Sequence, residues 1–507
     1  MESEQFREFG KAAVDYIADY MDSLRDRSVL PAVEPGYMKG LIPDQVPEEP
    51  ETWQDFMKDM DRVIMPGMTH WHSPQFHAFY PTANSYPGIV GEMLSAGLGS
   101  IGFSWLSGPA CTELEVEMMN WLGKLLDLPE DFLNCSDGPG GGIIQGSASE
   151  STLVGLLAAK ERMLNRMKNE NCDIDPGVVR AKLVAYTSEG ANSSVEKAGM
   201  IAAVPMRLLP TDDGCRLRGD ALERAMEEDV QKGLIPCYVV VNLGTTGTCA
   251  FDCLEEIIPV CQKYGVWVHI DAAYAGAAFI CPEYRHLMAG VEHADSFNFN
   301  PHKWMLVNFD CSAMWVKDAS YLVDAFDVQR SYLKDNTTQK IPDYRHWQIP
   351  LGRRFRSIKL WAVLRLYGAS GLRNHIRNQI SLAENFASLV LKDSRFEILT
   401  VSMGLVCFRL KGDNSLSKIL VDKLMERKNI FVVSCNYKTK FIIRFVVCSR
   451  LCEVRDIEFA WKEIQSQADI ALGKETENTV QEKIDSTDSF QPTNGFAVNS
   501  NINEKSK

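Results

Sequence analysis

Apolar residues recur at helical spacing from the start of the chain: Phe6, Phe9, Ala13, Tyr16, Ile17, Tyr20, Met21 and Leu24. The spacing predicts an amphipathic helix from Phe6 to about Arg25. A Pro-rich stretch with Pro31, Pro35, Pro43, Pro47 and Pro50 then reads as an extended connection. An arm this short cannot bury its apolar stripe alone; it must lie on the rest of the chain or on a partner subunit. From about residue 85, helical stretches (Cys111 to Leu126, Ser149 to Met167) alternate with short β-rich runs. The runs are Lys182–Tyr186, Cys237–Leu243, Val266–Ile270 and Ser312–Val316. They are too apolar for a one-sided sheet, so the pattern predicts an α/β domain with a mostly parallel sheet. Such sheets place ligands at the carboxyl ends of their strands. Beyond about residue 360, helical stretches (Ser357 to Leu366, Leu372 to Leu391) lead to the runs Gly404–Leu410, Ile430–Val433 and Phe441–Val447 and a closing helix from Val454. That predicts a small α+β domain. After Gly473 the residues turn to Glu, Asn, Ser, Thr and Lys, as in a disordered tail. The expected organisation is an arm over 1–85, a large domain over 86–360, a small one over 361–473 and a tail over 474–507.

The net charge of -14 argues against nucleic acid as a main partner, because phosphate binding needs a basic surface, and gives no support to a membrane-surface role. The acidic start, Met1 to Phe6, has no apolar run of the secretory kind, and no segment approaches the roughly 18 apolar residues of a membrane span. The fourteen cysteines include no CxxC pair and read as reduced thiols. His70, His72 and His77 form the one close histidine group, without a cysteine or carboxylate at ligand spacing, so no metal is expected. The expectation is a cytoplasmic, metal-free protein.

Four segments carry candidate chemistry. In Asn300-Pro-His-Lys-Trp304, Lys303 sits among apolar neighbours that lower a lysine's pKa, and its neutral amine can form a Schiff base; a surface lysine on a turn is the plain alternative. Asp271 falls at the end of the run Val266–Ile270. A carboxylate there can keep a pyridine nitrogen protonated and make the ring an electron sink, or it can simply cap a helix. The stretch Gly138 to Ser151 brings backbone close, and Ser147, Ala148 and Ser149 open a helix, whose free N–H groups suit a phosphate; such loops are common. Gly244-Thr-Thr-Gly-Thr248 follows a strand and either supports a cofactor ring or makes a tight turn.

The order of these pieces resembles that of fold-type I pyridoxal-phosphate enzymes. Three segments resemble the group II aromatic-L-amino-acid decarboxylases more closely: Phe103-Ser-Trp105 with Cys111-Thr-Glu-Leu-Glu115, Ser296 to Trp304, and Asp343 to Arg356. The resemblance runs from about residue 1 to 470. It implies pyridoxal 5'-phosphate as cofactor, held by Lys303 as the Schiff-base lysine, Asp271 as the pyridinium partner, and Thr246, Ala148, Ser149, Asn300 and His302 as contacts. It implies substrate-pocket roles for Trp71, Thr82, Ile101 and Phe103, and a mobile-loop catalytic role for Tyr332. It also implies a homodimer with active sites at the subunit interface.

Two departures stand out. Ordinary members carry a histidine over the cofactor ring where this chain has Asn192, and the order Phe79-Tyr80 is the reverse of that in ordinary insect decarboxylases. A histidine can relay a proton to the carbon that has lost CO₂, whereas an asparagine amide can only hydrogen-bond. An unprotonated carbanion can instead react with O₂, and the resulting peroxide breaks down to an imine and then an aldehyde. The pattern resembles the insect 3,4-dihydroxyphenylacetaldehyde synthases, which carry Asn at this position. It implies that L-DOPA, O₂ and water become the aldehyde, CO₂, ammonia and H₂O₂, with Asn192, Phe79 and Tyr80 shaping the site and a link to catechol metabolism and cuticle formation. Two alternatives stay open: a conventional decarboxylase that makes dopamine, and an inactive cofactor-binding homologue. Loss of Lys303 or Asp271 would have favoured the second, and both are present.

Overall fold

In the computed structural model, residues 1–328 and 341–473 are described. The alternating middle of the chain folds into one seven-stranded sheet. Its strands are β1 (Gly141–Gln145), β2 (Leu183–Ser188), β3 (Met206–Leu209), β4 (Ile235–Asn242), β5 (Trp267–Asp271), β6 (Ser296–Phe299) and β7 (Ser312–Val316), in the order β1-β7-β6-β5-β4-β2-β3. The pairs from β3 to β6 are parallel, whereas β7 runs antiparallel to both β6 and β1. The sheet has helices on both faces, which is why its strands read as unbroken apolar runs. In β4, Val239 and Val241 enter one core while Tyr238 and Val240 enter the other.

A second, antiparallel sheet of β8 (Phe396–Ser402), β9 (Leu405–Leu410), β10 (Val433–Tyr437) and β11 (Lys440–Val446) is ordered β10-β11-β9-β8. It packs its own core against the helices Asn414–Arg427 and Val454–Ala471 and the second half of a long helix, Ser357–Leu391. That helix was expected as two pieces; it is merged across Gly368, whose φ of 64° places the break where the sequence suggested one. Three expectations need correction. Gly141–Gln145 is a strand rather than part of a phosphate loop, because Ile143 and Ile144 plug the two cores. The run Ile430–Val433 only leads into β10, which begins at Val433. And β3, β6 and β8 escaped the apolar-run reading altogether.

The N-terminal helix runs from Ser3 to Asp22. Its stripe is partly covered: Phe9 stacks on Trp53 at 5.7 Å and Met21 is buried, while Phe6 stays 63% exposed. The arm is tied down across the molecule, where the Arg25 guanidinium meets Asp456 of the closing helix at 2.9 Å. No helix among the described residues is long and apolar enough to cross a membrane.

Candidate active site

The carboxyl ends of β4, β5 and β6 open into one cavity of about 250 Å³. Ala148, Ser149, Asn192, Thr246, Asp271, Asn300, His302 and Lys303 all line it. Each arrives by a simple local rule. Asp271 is the last residue of β5, paired in register between Asn242 of β4 and Asn298 of β6, and its carboxylate accepts from the Ala273 N–H at 3.0 Å. Lys303 follows β6 on a single helical turn, Pro301–Trp304. Ala148 and Ser149 begin the helix Ala148–Glu170, capped by Ser147, whose hydroxyl accepts from the Glu150 N–H at 3.2 Å. The first amides of a helix have no partner within it, and they carry its positive end to the cavity. Asn192 caps the helix Ser193–Ala202: its Oδ1 accepts from the Ser194 N–H at 3.0 Å and its Nδ2 donates to Thr246 Oγ1 at 3.0 Å.

Burial sets the charges. Lys303 is walled in by protein, which pushes its amine down, with Asp271 pulling the other way. Asp271 is pushed up by the same cause, with Lys303 opposing. His302 is pushed down to about 3 by burial and then by Lys303, so its ring is neutral. The Cys311 N–H donates to His302 Nδ1 at 2.9 Å, which places the ring's hydrogen on Nε2. Asn300 accepts from the Ser312 hydroxyl at 2.7 Å.

A second cavity, of about 480 Å³, meets the first at His302 and Lys303. Its walls are mostly apolar and include Trp71, Pro81, Thr82 and Phe309. The Ala83 N–H donates to the His302 carbonyl at 2.7 Å, which pins the Thr82 loop beside the lysine. Phe79 lies outside both cavities and stacks on Trp71 at 5.5 Å; its φ of 44° turns the chain sharply there. Tyr80, expected with the substrate, instead lines the cavity with Asp271 and Lys303. Its ring stacks on Tyr274 at 3.9 Å, lies 5.8 Å from Lys303 Nζ, and its hydroxyl donates to the Thr245 carbonyl at 2.9 Å. Ile101 and Phe103 line neither cavity. Tyr332 lies outside the described residues.

A desolvated amine, a buried carboxylate and an open helix start around one cavity are the donor set that pyridoxal phosphate requires. The pyridoxal-dependent decarboxylase conserved domain matches residues 35–411. The chain belongs to that family. An aromatic-L-amino-acid decarboxylase of Drosophila melanogaster is 57% identical over 470 residues, 92% of each chain. A 3,4-dihydroxyphenylacetaldehyde synthase of the same species is 55% identical over 470 residues, again 92% of each. A crystal structure of Catharanthus roseus tryptophan decarboxylase in complex with L-tryptophan superposes with a TM-score of 0.87 at 39% identity, covering 93% of this chain and 99% of that one.

This pyridoxal-dependent decarboxylase also has cavity residues that the sequence reading passed over. Tyr274, Thr245 and Asn242 line the first cavity, and Tyr20, His72 and Phe309 the second. Thr245 stood inside a motif already singled out, next to Thr246, and Tyr274 comes three residues after Asp271, so strand-end position was the usable signal. Tyr20 carried none, because it sits in the arm's helical stripe like any core residue.

Proposed function

We propose that this decarboxylase converts L-DOPA, O₂ and water to 3,4-dihydroxyphenylacetaldehyde, CO₂, ammonia and H₂O₂. Asn192 is the observation that carries this reading. It stands on the cavity wall at the position where the resemblance implies a histidine, and both ends of its amide are already engaged.

Lys303, Asp271 and the start of the helix Ala148–Glu170 would hold the cofactor, with Thr246, Asn300 and His302 around it. Pyridoxal phosphate, when bound, supplies an electron sink for the bond to the departing CO₂. The chain's residues then decide where a proton can go. His302, held down to about 3, is no acid near neutrality. Asn192 can hydrogen-bond but cannot give up a proton. With protonation slow at that carbon, O₂ accepts the electron pair and two protons and leaves as H₂O₂, while water takes the place of the nitrogen, which departs as ammonia. The apolar second cavity, with Trp71 and Thr82, suits an aromatic side chain with a polar edge. Tyr332, outside the described residues, is assigned a catalytic role in the same step.

A homodimer belongs to the same reading. Ile101 is 57% exposed and lines neither of these two cavities, so a partner subunit that covers it would complete the pocket together with Phe103.

A conventional decarboxylase is the second reading, and the slightly higher identity of the Drosophila amine-forming relative favours it. One assay separates the two. Purified protein with pyridoxal phosphate and L-DOPA in air should yield H₂O₂ near equimolar with CO₂ and little dopamine. Dopamine equal to CO₂, without peroxide, would overturn the oxidative reading.

A further inference from the structure

Arg444 carries a charge that the chemistry above does not use. It stands in β11, directly across from Cys407 of β9 and Val433 of β10, and is 5% exposed. A buried guanidinium ordinarily faces a carboxylate, because its lost hydration must be replaced. Among the described residues no carboxylate lies within ion-pair distance of it, and its Nη2 has no hydrogen-bond partner. Two contacts hold it. Nε donates to the Gly247 carbonyl at 3.0 Å, and Cζ lies 5.2 Å from the centre of the Tyr80 ring, within cation–π range.

Both contacts belong to the candidate active site. Gly247 follows Thr246, the residue that accepts from Asn192. Tyr80 stacks on Tyr274, approaches Lys303 and donates to the Thr245 carbonyl. One buried cation therefore grips a ring and a turn that both line the cavity, and the turn is bonded to Asn192 through Thr246. From this geometry we propose that Arg444 is a positioning residue that holds Tyr80 and the 245–248 turn in place and thereby sets the partition between aldehyde and amine, an inference that rests on the oxidative reading.

The test uses holoenzyme variants Arg444→Met, Arg444→Lys, Tyr80→Leu and the double variant Arg444→Met/Tyr80→Leu. Measured are H₂O₂ per CO₂, kcat and KM separately, and the visible circular dichroism of the bound cofactor. Arg444→Met should lower kcat about tenfold with KM within about threefold, and roughly halve the peroxide ratio. It should also change the dichroism, and Arg444→Lys, which keeps a cation and a donor, should recover most of each signal. In the Tyr80→Leu background, Arg444→Met should add little, because coupled residues are non-additive. A folded Arg444→Met with wild-type ratio and dichroism, or full additivity with Tyr80→Leu, would overturn the proposal. If Arg444→Met does not fold, Arg444→Lys in both Tyr80 backgrounds carries the same comparison. If the unsubstituted enzyme makes only amine, the oxidative reading and the partition role fail together, while dichroism and coupling still decide whether Arg444 positions Tyr80.

Discussion

At the scale of single residues, the cavity is short of acids. Among the described residues Lys303 is the one cation that lines it, and the neutral His302 donates only through Nε2. Replacing Asn192 by histidine puts a group with an ordinary pKa near 6.5 on that wall. Asn192→His should raise the amine-to-aldehyde ratio at least about tenfold, toward the low end of what a positioned general acid contributes. The gain should fade as pH rises through the new imidazole's pKa, since only its protonated form can donate. The unsubstituted enzyme should show no such limb from His302, whose ring stays neutral down to about pH 3. Product analysis across pH checks both; an Asn192→His enzyme that still makes only aldehyde would remove Asn192 from the mechanism.

At the scale of elements, Asn192 has a second duty as the cap of the helix Ser193–Ala202. Asn192→His should therefore cost about 1 kcal/mol of stability, while Asn192→Asp, which keeps a capping oxygen, should cost less. Urea titration distinguishes them, and equal midpoints would mean that the cap contributes nothing. The same elements show what was legible beforehand. β4, β5 and β7 were readable because both their faces are buried and both must be apolar. β1 was not, because Gly141 and Gly142 look like loop residues; they serve instead to admit close neighbours, and a Cβ on Gly142 would fall 2.6 Å from the Trp315 nitrogen. Asp271 was legible because a charge that ends an apolar run is conspicuous, and Lys303 because a lysine among aromatic and apolar neighbours is. Arg444 was not, since an arginine inside a strand has the same local pattern whether it holds a fold or a ligand. Tyr80 was visible as a departure from the family, but its place beside Lys303 depends on a contact with Tyr274 nearly two hundred positions away.

At the scale of the whole molecule, two imidazoles without solvent exposure set an acid limit. Burial holds His77 down to about 3 and His269 to about 4. Each pKa is lower when folded than unfolded, so below about pH 6.5 the unfolded chain binds more protons and stability falls with pH. At about pH 5.5 the loss is roughly 1.4 kcal/mol for each ring, and it grows until the folded pKa values are reached. Thermal melting between pH 7 and 5 checks this, and a flat midpoint would contradict it. The proposed dimer belongs to this scale too. Ile101→Glu should give a monomer in sedimentation and raise the KM for L-DOPA; a fully active monomer would show that one chain completes the pocket alone.

The tie between Arg25 and Asp456 has a bearing on how the chain is made. A ribosome releases the arm's helix more than four hundred residues before its anchor, so Arg25 must wait for its partner until the closing helix has emerged, with only nearby cover such as Trp53 on the stripe. β1 waits in the same way for β7, its sole sheet neighbour among the described residues. The early chain is thus a natural client for chaperones, and a message cut short before the closing helix would leave the arm without its anchor.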